Sequence, residues 1–217
     1  VDTEPVSSKL FKDWALRTVA IKPYPICHFN HAPVDSALAL RHEHSLTSDE
    51  IDSVTILLDA RQFGVVVDPI EAKRLPQSEY VAKFSVPYAV ATALCKGRFS
   101  LADLEDTARL DTEVLALAQR IECIHDERSR YPAAFSGGVR IRLSDGSEME
   151  HFEAVNRGAE GQLLSHDQVR KKFLDNCALA ISIESAERLW NTMMSLDELE
   201  DLSALTALLR EDPKRSA

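Results

Sequence analysis

The hydrophobic positions change period several times along the chain, and each change marks an expected element. In "APVDSALALRHEH" the apolar residues Val34, Ala37, Leu38 and Leu40 recur at helical spacing, with Pro33 suited to a first turn. "IDSVTILLDA" alternates and is β-branched, which predicts a strand from Ile51 to Leu58. "VVVDPIEAKRLPQSEY" is broken by Pro69 and Pro76 and reads as a loop. "EYVAKFSVPYAVATALCKG" predicts a long apolar helix that Gly97 terminates, with Pro87 near its start or kinking it. "DTEVLALAQRI" is a second helix, capped by Asp111.

Three strands are expected next, in "IECIHD", "GGVRIRLSDG" and "SEMEHFEAV". The last two flank Asp145-Gly146, a strong hairpin signal. From Ser165 to Arg210 the pattern is helical throughout, in three segments that Ser165 opens as a cap. Strands are segregated from helices rather than alternating with them. The expected class is therefore α+β, with a small antiparallel sheet. Before all this, residues 1–20 form a lead-in segment with a helical turn expected around Leu10 to Leu16.

Composition narrows the function. Of 217 residues, 45% are hydrophobic and 28% charged, ordinary for a globular protein with a core. The net charge of −10 argues against nucleic acid or an anionic membrane as partner, since both need clustered cations. No stretch approaches the roughly 20 apolar residues of a membrane helix. Nor does the polar start "VDTEPVSSKLFKDW" resemble a signal peptide, so a cytoplasmic protein is expected. The four cysteines, Cys27, Cys95, Cys123 and Cys177, form no CxxC and read as thiols in a reducing compartment. The chain opens without an initiator Met, as expected of a processed protein or one part of a longer chain.

The chemistry is densest in "IKPYPICHFNHAP", residues 21–33. Lys22, His28 and His31 sit on a backbone stiffened by Pro23 and Pro25, just ahead of a helix N-terminus. Directed donors beside such a terminus suit a carboxylate. The alternative is a proline-shaped turn with surface histidines. His28 and His31 lack a third ligand at zinc-like spacing, so no metal site is expected. In "AKFSVPYAVATAL", Ser85 and Tyr88 lie three positions apart on one helix face. Tyr88 reads either as a core residue with a satisfied hydroxyl or as an acid that protonates a leaving group or carbanion. The leucine stripes of the last helices, Leu189–Met193–Leu196 and Leu202–Leu205–Leu208–Leu209, are packing faces larger than a small sheet could cover.

Taken in order, "KPYPICHFNHAPVDSALAL", "AKFSVPYAVATALCKGRFS", "VRIRLSDG" and "LSHDQVRKKF" resemble the C-terminal half of the MmgE/PrpD family, from about residue 20 to 210. That family includes 2-methylcitrate dehydratase, cis-aconitate decarboxylase and iminodisuccinate epimerase. The resemblance implies an α+β lid domain over residues 21–158. Residues 159–217 are then helices that pack on an all-helical domain absent from this chain. It also implies a cofactor-independent lyase or isomerase of a small di- or tricarboxylate, usually a homodimer. Dehydration of the 2-methylcitrate kind is the default, with decarboxylation or epimerisation as alternatives. Carried over by position, Lys22 holds a substrate carboxylate, His31 binds or polarises the substrate, and Tyr88 contacts or protonates it. Ser85 and Cys27 are further substrate-side candidates. Other catalytic residues would lie in the missing half, leaving this chain inactive alone. The alternative of another class is a non-catalytic fragment docking on a partner chain.

Overall fold

The computed structural model describes residues 19–210 together with residues 8, 10–12, 14 and 16. Of the helical turn expected around Leu10 to Leu16, residues 10–12 form a turn, and residues 13 and 15 lie outside the described residues. The chain divides into two compact units, residues 1–163 and 164–217.

The first unit is built on a four-stranded sheet of order β2-β1-β3-β4. Its strands are β1 (Ile51–Leu58), β2 (Ile121–His125), β3 (Gly137–Leu143) and β4 (Glu148–Glu153). All four coincide with the expected segments, and the β3–β4 hairpin turns through Gly146 at φ +86°. The pairing corrects one expectation: the sheet is mixed, not antiparallel. β3 runs antiparallel to β1 and β4, while β2 lies parallel to β1, with Val54 beside Ile121 and Leu58 beside His125. A parallel neighbour requires a crossover, and the helices between residues 60 and 119 supply one.

Period-two alternation sorts the sheet's faces. Val54, Ile56, Leu58, Val139, Ile141 and Ile121 are buried on one side. On the other, Arg140 pairs with Glu150 at 2.7 Å and Arg142 with Asp52 at 3.8 Å. Two helices cover the apolar face. α1 (His31–His44) packs on β3 and β4 and against a central apolar helix, Val86–Lys96. That central helix has every residue from Val86 to Leu94 buried, as expected of a helix that is apolar all round. Each such Val or Leu contributes about 1.5–3 kcal/mol by leaving water.

The segment read as a proline-broken loop instead contains three short helices, α2 (Phe63–Val66), α3 (Ile70–Arg74) and α4 (Glu79–Lys83). Pro69 caps α3 rather than breaking it, since the missing N–H costs nothing at a helix start. The long helix expected from residue 79 is divided at Phe84–Ser85. Ser85 caps α5 (Val86–Lys96), Pro87 sits in its first turn, and Gly97 ends it at φ +67°. After α6 (Asp106–Arg109), α7 (Thr112–Gln119) is capped by Asp111, which accepts from the Glu113 and Val114 amides.

The second unit holds α8 (His166–Cys177), α9 (Ile183–Met194) and α10 (Ser203–Leu209). Ser165 and Gln168 form a capping box at the start of α8. Trp190 of α9 is buried against Phe173 and His166 of α8, with ring centroids 5.3 Å apart in both pairs. Ile183, Met193, Met194, Leu196, Leu202 and Leu209 remain exposed. Among the described residues no helix is long and apolar enough to cross a membrane.

Candidate functional site

The proline loop is held from two sides. The Cys27 amide donates to the Lys83 carbonyl at the end of α4 (2.8 Å), and the Asn30 side chain donates to that same oxygen at 3.4 Å. The Ile21 amide donates to the Gly158 carbonyl beyond β4 at 3.0 Å. Gly158 has φ +88°, and a Cβ placed there would lie 2.0 Å from the Ile21 carbonyl oxygen. Only glycine permits that approach. Within the loop, Lys22 Nζ donates to the Ile26 carbonyl at 3.2 Å and His31 Nε2 lies 3.4 Å from the same oxygen.

Around this loop the structure gathers a polar cluster drawn from distant parts of the sequence. The Tyr24 hydroxyl donates to Asp35 of α1 at 2.6 Å, and Arg157 both donates to that hydroxyl and pairs with Asp35 at 3.0 Å. Asn156 Nδ2 lies 2.7 Å from His28 Nε2. The His28 ring stacks on Phe135, with centroids 4.6 Å apart, and lies 4.9 Å from the His31 ring. Among the described residues no third metal-ligating side chain joins the two histidines.

Burial sets the charge states. His31 is fully buried, and burial, with the positive charge possible on His28 second, lowers its pKa to about 3. The ring is neutral at any ordinary pH. Burial, then the Lys22 ammonium, lowers the His28 pKa. Burial also raises Asp35, opposed by the Tyr24 hydroxyl and Arg157. Tyr24, desolvated and next to Asp35, has its pKa raised and keeps its proton.

The expected site residues divide into two groups. Lys22 and Cys27 line an open cleft of about 410 Å³ together with Lys83, over an apolar floor of Pro25, Ile26, Phe84 and Leu101. The Lys83 ammonium is paired with Glu79, so Lys22 is the cation that, with the apolar lining, suits a small anion carrying carbon skeleton. His31 lies beside this loop but beneath it. Residues 31–37 are all buried, so the first turn of α1 is not a surface at which a carboxylate docks. Ser85 and Tyr88 lie in the core. The Ser85 hydroxyl caps the Tyr88 amide and donates to the Lys73 carbonyl. The fully buried Tyr88 hydroxyl donates to the Asp103 carbonyl, and burial raises its pKa to about 12.

Sequence reading weighs His28 as a donor in the loop but the family resemblance assigns it no role, and Tyr24, Asp35, Lys83, Asn156 and Arg157 are passed over as site residues. Tyr24 and His28 stood in view within the loop. Asn156 and Arg157 carried no local signal, because their partners lie 128 and 133 residues away.

Comparison with known proteins agrees with this architecture. The family model of the MmgE/PrpD C-terminal domain matches residues 24–198. A cis-aconitate decarboxylase-like protein, oryM, of Aspergillus oryzae is 22% identical over 212 residues, which cover 95% of this chain and 43% of that protein. The cis-aconitate decarboxylases of Mus musculus and Homo sapiens are 24% and 23% identical, each match covering 91% of this chain and 41% of the relative. The chain thus spans about two fifths of the length of these curated relatives. With more than half of it matched by the family model, the chain belongs to the MmgE/PrpD family, as a C-terminal domain.

Proposed function

We propose that this chain is the C-terminal part of a lyase that acts on a small di- or tricarboxylate. The cleft that brings Lys22, Cys27 and Lys83 together carries the reading. Breaking a bond next to a carboxylate builds negative charge at the adjacent carbon, and fixed cations and N–H donors around that charge lower the barrier. Lys22 supplies the cation in this part, with Lys83, paired with Glu79, beside it. The remaining groups come from an N-terminal helical half of the same protein, so this chain alone is inactive. The named relatives favour cis-aconitate and decarboxylation as the first substrate and reaction to try. Dehydration of 2-methylcitrate, the default from motifs alone, and epimerisation of iminodisuccinate are the alternatives.

Turnover assays of the full-length protein separate these outcomes. Carbon dioxide release from cis-aconitate, loss of water from 2-methylcitrate and epimerisation of iminodisuccinate are each read directly. The reading expects one of them, with no cofactor added. Inactivity on all three, together with no rise in melting temperature from any C4 to C7 polycarboxylate, overturns it in favour of a partner-docking domain.

A further inference from the structure

One hydrogen bond determines which nitrogen of His28 carries its proton. The Asn156 amide reaches His28 Nε2 at 2.7 Å and donates from the same Nδ2 to the Arg157 carbonyl at 3.3 Å. The second bond fixes the orientation of the amide, because its oxygen in that place would face another carbonyl oxygen. Asn156 is therefore the donor, Nε2 the acceptor, and the neutral ring holds its proton on Nδ1. Phe135, stacked at an interplanar angle of 15°, holds the ring plane. The groups that face the ring are Lys22 from the loop and His31 from α1, with Arg157 beside Asn156; none offers a negative charge that would favour an imidazolium. Nδ1 itself makes no hydrogen bond among the described residues, and the side chain is only half-buried.

We propose that His28 donates its Nδ1–H to a carboxylate of the substrate, and that Asn156 is the positioning residue that keeps the proton on that nitrogen. The proposal rests on the polycarboxylate reading above. It transfers to His28 the contact that position alone gave to His31, whose ring is fully buried. His28 does not itself line the Lys22 cleft but follows Cys27, which does, and it feels the Lys22 charge. A neutral N–H there gives a directed donor at the cleft's edge without a second cation to desolvate.

Two measurements on the full-length protein test it. Nitrogen-15 NMR with labelled histidine reads the tautomer without any substrate. At neutral pH the His28 ring should be neutral with the proton on Nδ1. In Asn156→Asp, whose carboxylate only accepts, the proton should move to Nε2 or the ring should become doubly protonated. In kinetics, His28→Asn places an amide N–H near the Nδ1 position and should keep kcat/KM within about fivefold of the native protein. His28→Gln, with its amide nearer Nε2, and His28→Ala should lose roughly 10- to 100-fold, mainly through KM. Asn156→Asp should move the acid limb of the pH profile upward by about one unit. A native Nε2–H tautomer, or a His28→Ala protein that turns over substrate with unchanged kcat/KM, overturns the proposal and leaves the polycarboxylate reading intact. A protein that neither binds nor converts any polycarboxylate overturns that reading and the ligand assigned to His28 with it, whatever the tautomer.

Discussion

Two motifs drew equal attention in the sequence, the proline loop at residues 21–33 and the Ser85–Tyr88 pair, and the structure treats them oppositely. On α5 both hydroxyls are matched to main-chain groups, as buried polar atoms usually are. Around the loop they are not. His31 Nδ1, Asp35 Oδ2, Asn156 Oδ1 and Arg157 Nε are buried with no hydrogen-bond partner in the structure. An unmatched buried polar group costs about 1–3 kcal/mol, and a cluster of them is typical of a place built for something besides stability. Satisfaction of hydrogen bonds thus separates these two motifs, although Gln62 and Arg109, away from the loop, also carry unmatched buried atoms.

The contrast can be broken first at Gly158. Gly158→Ala forces a Cβ onto the Ile21 carbonyl in a left-handed backbone conformation. It should cost about 3 kcal/mol or more, because neither the clash nor the backbone can relax cheaply. Hydrogen exchange at the Ile21 amide should accelerate along with a fall in melting temperature. Protection at Ile21 equal to the native protein would show that the loop is not clamped there.

The second test is the pH dependence of His31. Burial holds its folded pKa at about 3, against an ordinary 6.5 in the unfolded chain. Below pH 6.5 the unfolded chain binds a proton that the folded ring refuses. Its contribution is therefore complete above pH 6.5 and is lost as pH falls from 6.5 towards 3. Between pH 7 and pH 5 the expected loss is about 2 kcal/mol. Urea unfolding at the two pH values measures it. His31→Gln keeps an N–H for the Ile26 carbonyl but cannot titrate, and should remove that part of the slope. An unchanged slope in the variant would place the ring in solvent.

The smallest effect concerns the core motif. Tyr88→Phe removes the donor to the Asp103 carbonyl and should cost about 1–2 kcal/mol, read from the urea midpoint. The core placement expects little change in kcat. A loss of kcat of about 100-fold at unchanged stability would return Tyr88 to the site.

The fold was legible wherever the pattern is local and long. Ile51 to Leu58, the Asp145-Gly146 hairpin and the caps at Asp111, Ser165 and Gly97 all stand where periodicity and turn chemistry put them. Helices of four or five residues, such as α2 and α3, show no period to read. Strand partners are not local either, which is why the parallel β1–β2 pair was invisible. The site was half legible. The loop announced itself by density of chemistry, but its order within the loop did not separate the buried His31 from the half-exposed His28. The residues that hold His28, Phe135 and Asn156, lie more than a hundred residues further along.

The central claim is that the loop presents a cation to a substrate carboxylate, and one titration tests it most directly. Cis-aconitate is titrated by calorimetry into the full-length protein and into its Lys22→Gln variant. A charge-assisted hydrogen bond is worth about 1.5–3 kcal/mol, so Kd should weaken roughly 10- to 100-fold in the variant, with only the small fall in the free protein's melting temperature expected from losing the Lys22–Ile26 hydrogen bond. Equal affinity of the two proteins for cis-aconitate would contradict the claim.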